Sequence, residues 1–266
     1  SVDNYSKIGS YVGTGSATDR PIIETGFEPA FVMIKNVTNS GSAGSWMIHD
    51  NKRNTANPRD KYLRADSTNA EGTYAEYGLD FLSNGFQVGP TTAYHWNTSG
   101  DTYLYMAFAA NPDEEAPTLS SSFNTEIYKG TGIDGQAVTG LGFKPGLIWI
   151  KNRGLVRDHN LADIVQGPLR EITPNTNEAV ENRSVKSFDS DGFTLDNSSG
   201  NYNANNSDYV TWAWAADDNE PKISGGEAIS VYKFEDNAND VAGNYNGTAS
   251  NVSYVTGKFG KAADFN

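Results

Sequence analysis

Two stretches decide how this chain is read: Tyr103-Leu104-Tyr105-Met106-Ala107-Phe108-Ala109-Ala110 and Tyr209-Val210-Thr211-Trp212-Ala213-Trp214-Ala215-Ala216, which align at an offset of 106 residues. In each, every second residue is bulky (Leu104, Met106, Phe108; Val210, Trp212, Trp214), and positions 107, 109, 213 and 215 between them are alanine. A period of two is the strand period, so bulk covers one face while another layer presses closely on the Ala face. Such a strand belongs inside a sandwich or jelly roll. The Tyr, Val, Thr and Trp around the run favour strand over helix.

Working outward, the whole chain repeats. Tyr11-Val12-Gly13-Thr14-Gly15 returns as Tyr128-Lys129-Gly130-Thr131-Gly132 at offset 117, and Gly26 to Asn36 returns as Gly142 to Asn152 at offset 116. Asp80 to Phe86 answers Ser187 to Phe193 at offset 107. Order is kept throughout, which chance matches of short turns do not do. The falling offset gives the first copy extra residues, expected in loops. The fold predicted is all-β: two tandem duplicated, jelly-roll-like β-sandwich domains and the beginning of a third, lectin-like one. The boundaries read as a lead-in at 1–10, repeat 1 at 11–111, an acidic Pro-containing linker at 112–124, repeat 2 at 125–216, a linker at 217–227 and a partial third domain at 228–266. Ala65 to Tyr77 and Asn175 to Asn182 have the composition of a helical turn.

Composition agrees. The 266 residues include 27 Gly and 28 Asn, too many turn-formers for a helical bundle, and 12% aromatics. A net charge of −13 without a Lys/Arg cluster repels phosphate backbones and anionic bilayers, so neither nucleic acid nor membrane insertion is expected. There is no Cys, hence no disulfide framework and no thiolate chemistry. The apolar runs, such as Phe31 to Ile34, fall far short of the roughly 20 residues of a membrane span. The chain starts at Ser1 without a Met and stops at Asn266; further domains are expected on both sides.

Few residues suggest chemistry. Asp189-Ser190-Asp191-Gly192 places two carboxylates two residues apart beside a Gly, the beginning of a calcium cage. Its duplicate, Leu82-Ser83-Asn84-Gly85, loses the first carboxylate and keeps Asn-Gly, as a type I′ hairpin turn tolerates and a metal cage does not, so Asp189 and Asp191 read as turn residues. His49, His95 and His159 are too scattered for a zinc triad. A general-base pairing of His49 with Asp50, or of His159 with Asp158 and Asp163, requires no more than an acidic protein supplies by chance. Lys35-Asn36 and Lys151-Asn152-Arg153 read as solvated strand ends. The loop Thr91 to Asp101, with Tyr94 and Trp96, has the aromatic and amide composition of a sugar-binding surface, and Tyr202 stands in its counterpart. Packing of these aromatics within the protein is the competing reading. No catalytic residue, cofactor or metal is expected.

The tail, through Tyr232-x-Phe234, Asn237-Ala238-x-Asp240, Gly243-Asn244, Gly247 and Gly257-Lys258-Phe259-Gly260, resembles the opening of a concanavalin A-like, laminin-G-like lectin domain over residues 229–266. The duplicated part, through Tyr128-x-Gly130-x-Gly132, Gly142-Phe143-x-Pro145, Leu147 to Arg153, Ser187 to Phe193 and Val210-x-Trp212-x-Trp214, is similar to a β-domain of structural and tail-fibre-like proteins of phages, especially marine ones. The resemblance implies a non-enzymatic virion protein, on the tail or capsid surface and so extracellular. Its expected task is host attachment through a cell-surface glycan or protein. Its partners would be other virion proteins and further copies of itself, a trimer by analogy with phage fibres. A capsid decoration protein is the alternative, and a polysaccharide depolymerase with its active site outside this segment is a further one.

Overall fold

The computed structural model describes residues 1–39, 44–74, 78–89, 96–109, 122–197, 199–215, 252–256 and 261–265. The chain divides into two compact units, Ser1–Ala216 and Asp217–Asn266.

In the first unit each copy is a two-sheet sandwich. Repeat 1 contains β1 (Ser6–Val12), β2 (Ile22–Glu24), β3 (Pro29–Asn36), β4 (Trp46–Asp50), β5 (Lys61–Arg64), β6 (Gly72–Thr73), β7 (Asp80–Leu82), β8 (Gly85–Gln87) and β9 (Thr102–Ala109). Repeat 2 contains β10 (Phe123–Lys129), β11 (Gln136–Thr139), β12 (Pro145–Asn152), β13 (His159–Asp163), β14 (Val185–Asp189), β15 (Gly192–Leu195) and β16 (Asp208–Ala215). The large sheets run β1-β9-β3-β4-β5-β6 and β10-β16-β12-β13; the small ones run β2-β8-β7 and β11-β15-β14. First strand pairs with last and second with last but one, the nesting of a jelly roll. The register repeats as well: Tyr11 lies opposite Tyr103 and Tyr128 opposite Tyr209, and both β3 and β12 carry a bulge after their opening proline. Proline has no N–H for the ladder, and a strand's first residue beside a bulge is where a sheet tolerates it.

The alternation in β9 and β16 is now explained on both faces. Tyr103, Tyr105, Ala107 and Ala109 point inward to Ile23, Phe81 and Phe86 of the small sheet, and Tyr209 and Ala213 likewise face Val138 and Phe193. The bulky face of each strand meets the other repeat. Phe31, Met33, Met106 and Phe108 pack with Phe123, Val210, Trp212 and Trp214 in one shared core, where burying a side chain such as Phe31 is worth about 1.5–3 kcal/mol. The two sandwiches therefore form four layers, small sheet, large, large, small, instead of separate domains on a linker.

Several boundaries move. The first repeat begins at Ser6, inside the expected lead-in, because Ser6–Val12 pairs along its length with β9. The second begins at Phe123, inside the expected linker, since Phe123 pairs with Trp214; most of that linker lies outside the described residues. No helical turn forms at 65–74 or 175–182. The former leads into β6, and the latter is tied by a Glu171–Glu181 bridge. The extra length of repeat 1 lies in connections, chiefly those before and after β4; the pairings of β5 and β6 survive in repeat 2 as the single bridges Leu161–Ile172 and Glu171–Glu181.

In the second unit β17 (Val252–Thr256) and β18 (Lys261–Phe265) form an antiparallel hairpin, Val252 opposite Phe265. The second linker, the strand expected at Val231 to Phe234 and the Gly257 to Gly260 motif lie outside the described residues.

Candidate functional site

The sequence left the aromatics of the loops before β9 and β16 open between sugar recognition and packing within the protein. Tyr94 and His95 lie outside the described residues, and Trp96 and Tyr202 are both fully buried. A ring with no exposed face cannot stack on a pyranose, so these two are corrected to core residues. Trp96 packs edge-on against His49 at 5.3 Å between ring centroids. The Tyr202 hydroxyl accepts from the Ser184 amide at 3.1 Å and donates to the Asp196 carboxylate.

What these loops do is hold the Tyr-x-Gly-x-Gly motifs. The Tyr11 hydroxyl donates to the Trp96 carbonyl at 2.9 Å, and Tyr128 to the Tyr202 carbonyl at 2.8 Å. Asn97 accepts from the Thr14 amide and donates to the Ser16 carbonyl; Asn203 accepts from the Thr131 and Gly132 amides and donates to the Ile133 carbonyl. A Cβ on Gly13 or Gly130 would lie 2.2 or 2.3 Å from the carbonyl oxygen of Thr98 or Ala204, so the first glycine of the motif must be glycine. The sequence reading passed over Asn97 and Asn203, although the identity of the two at offset 106 was a usable signal.

The Asp189–Asp191 segment is a hairpin. Asp189 accepts from the Thr194 hydroxyl at 2.8 Å, and Asp191 caps the Gly140 and Gly142 amides at 3.2 and 2.6 Å. The type I′ assignment is corrected. Ser190 and Asp191 have ordinary negative φ, and Gly192 alone is special, with φ 153° and the Val138 carbonyl 1.9 Å from where a Cβ would stand. Gly85 repeats this against Ile23. The glycines are there because the neighbouring strand crowds them.

A polar groove of about 440 Å³ in repeat 1 is lined by Asp3, Asn4, Lys7, Glu24, Thr25 and Asn84 among others. No aromatic ring lines it, and its mixed charges suit a small polar group.

A dense polar cluster lies in the seam between the repeats. Asp50 accepts from Arg53 Nε at 2.5 Å and from Trp212 Nε1 at 3.1 Å, all three side chains being buried. Arg53 reaches on to Glu71 at 3.3 Å, and Arg153 of the second repeat clamps Glu71 through Nε and Nη2 at 3.0 and 2.9 Å. Burial pushes the Asp50 carboxyl up, but the Arg53 charge and hydrogen bonds outweigh it and hold the group below the usual carboxylate range. Lys151 is fully buried and donates to the Thr68 and Asn152 carbonyls at 3.1 Å, and burial lowers it to about 8. The solvated-end reading is thus corrected: Asn36, Lys151 and Asn152 are buried, and Lys151 and Arg153 bind the 64–71 segment of repeat 1. No periodicity in the sequence pairs residues so far apart.

His49 and His159 belong to the same interior. His159 Nδ1 accepts from Trp149 Nε1 at 2.9 Å, and its Nε2 donates to the Arg64 carbonyl at 2.9 Å, which fixes a neutral tautomer. Burial, then the Lys151 charge, brings it down to about 4. His49, its Nδ1 at 2.8 Å from the Arg59 carbonyl, is lowered to about 3 by burial and Arg53. Burial thus disfavours the charged form of both rings, and their ring nitrogens are engaged with backbone carbonyls.

No curated protein and no solved structure matches the chain. A family model, described as a domain of unknown function (DUF7483), matches it twice, over residues 1–112 and 118–265, so the second match continues through the β17–β18 hairpin. Covering nearly the whole length, and once per repeat, these matches place the chain in the DUF7483 family.

Proposed function

We propose that this chain is a non-catalytic structural component of a virus particle, displayed on the tail as part of a host-attachment fibre. The observation that carries the non-catalytic part is the use to which the reactive groups are put. His49, His159 and Asp50 are sealed in the interior, and Trp96 and Tyr202 are core rings. Asp189 and Asp191 tie a hairpin. A four-layer body fused by an apolar and ionic seam suits a load-bearing module. The virion placement is supported by the resemblance of the duplicated segments to phage tail-fibre-like proteins. Attachment through the lectin-like tail would rest on many weak contacts multiplied by valency.

Antibody labelling of intact particles tests this. Label on the tail supports the fibre reading, label on the head replaces it with capsid decoration, and absence from the particle overturns both. Loss of host polysaccharide on incubation with the purified chain would overturn the non-catalytic reading.

A further inference from the structure

The outer face of the first large sheet is only partly covered. On it Leu104 of β9 has Ile8 and Val12 of β1 and Met33 of β3 at three diagonal positions, and Val37, one residue past β3, at the fourth. Diagonal neighbours on one sheet face lie about 7–8 Å apart, close enough to form one surface. Met33 is sealed into the core between the repeats. Ile8, Val12, Val37 and Leu104 remain 57, 56, 48 and 43% exposed. The patch is thus the continuation of an existing interface beyond its edge.

The second repeat treats the equivalent positions differently: two are covered and two carry cations, of which Lys129 stays exposed. The counterparts of Ile8, Val12, Val37 and Leu104 are Thr125, Lys129, Arg153 and Val210. Thr125 and Val210 are buried, and the 64–71 segment of repeat 1 binds this side through Glu71 to Arg153 and the Thr68 carbonyl to Lys151. Where repeat 2 has charges at two corners, repeat 1 has valines. Charge-to-apolar exchange at solvent-facing positions marks a surface meant to be covered.

We infer that a second copy of this chain packs on the Leu104 patch. Self-pairing of this sheet face already exists inside the molecule. Phe108 touches its own counterpart Trp214 at 5.5 Å between centroids, and the Tyr5 hydroxyl donates to the carbonyl of its counterpart Ser122 at 3.1 Å. Lys35, directly opposite Leu104 in the register, bends toward the Gly44 carbonyl and the Trp46 ring. A standard interface buries about 1,600 Å², more than four side chains supply, so the patch is the apolar centre of a modest interface with a polar rim. The net charge of −13 opposes association at long range, and salt screens that repulsion without weakening the apolar contact. The inference does not depend on where in a particle the chain resides.

Sedimentation equilibrium of the full chain over about 1–100 μM, where modest interfaces associate, tests it. The expected result is an oligomer that strengthens with salt and whose Kd rises at least about tenfold in Leu104→Lys and in Val12→Lys. Val165→Lys, at an exposed turn of repeat 2, serves as the control and leaves Kd unchanged. Unaltered thermal midpoints show that the variants fold. A monomer across the range overturns the inference, as does association that is equal in the patch variants and wild type. A monomer in which Leu104→Cys resists a thiol reagent would show that the chain covers its own patch, and overturns it too.

Discussion

Acid should loosen this protein through its two buried histidines, well above the pH at which carboxylates titrate. Both nitrogens of His159 are committed, so a further proton on Nδ1 would set N–H against the Trp149 N–H in a buried seam beside Lys151. The folded values are about 4 for His159 and about 3 for His49, against 6.5 for the free side chain. With the folded value depressed, the unfolded chain takes up protons first. Stability present above pH 6.5 is therefore lost as pH falls toward 4, at about 1.4 kcal/mol per pH unit per histidine. From pH 7 to 5 that amounts to about 2 kcal/mol each and about 4 kcal/mol together. Glu171, whose carboxyl is pushed up by burial against the opposing Arg183 charge, acts in the other direction as pH approaches the carboxylate range. Urea unfolding followed by Trp fluorescence at pH 7, 6 and 5 measures the effect in wild type and His159→Gln. The variant starts less stable at pH 7, and its loss between pH 7 and 5 should be smaller by about 2 kcal/mol. Equal pH dependence in the two proteins would refute the neutral, buried assignment of His159.

Three further outcomes follow from the geometry. Asp50→Ala leaves Arg53 only Glu71 and the Ile48 carbonyl and removes the acceptor of the Trp212 N–H, and should cost about 1.5–3 kcal/mol in denaturant unfolding; a loss under about 1 kcal/mol would mean that the seam network contributes little. Gly192→Ala drives a Cβ against the Val138 carbonyl and should destabilise by more than about 1 kcal/mol, with Gly85→Ala behaving alike, and a neutral midpoint shift would contradict the crowding. Asn203→Ala removes one of the two acceptors of each of the Thr131 and Gly132 amides and the donor to the Ile133 and Asp196 carbonyls. It should cost about 1–3 kcal/mol and speed hydrogen exchange at Thr131 and Gly132, whereas unchanged protection there would dismiss its role in pinning the loop.

The site residues were legible only in part. Duplication was plain in the sequence because turn glycines and strand-opening prolines are dictated locally, and their order survives divergence between copies. Trp96 and Tyr202 stayed open between recognition and packing because aromatic, amide-rich loops have one composition whether they face solvent or plug a sandwich end; their burial decides for packing. Lys151 and Arg153 looked solvated for a similar reason: a cation at a strand end is exposed unless something remote arrives to cover it, here residues 64–71.

By itself, then, the sequence determined the all-β character, the twofold repetition and the two-faced strands at 103–110 and 209–216, since a period of two and the steric demands of Gly and Pro act within a few residues. Only the tertiary structure decided what the bulky faces meet. Contact between Phe31 and Trp212, or between Asp50 and Trp212, joins residues more than 160 positions apart in sequence. Nothing local encodes such pairs. They arise because two apolar sheet faces, each left over from its own sandwich, lose water most completely against one another.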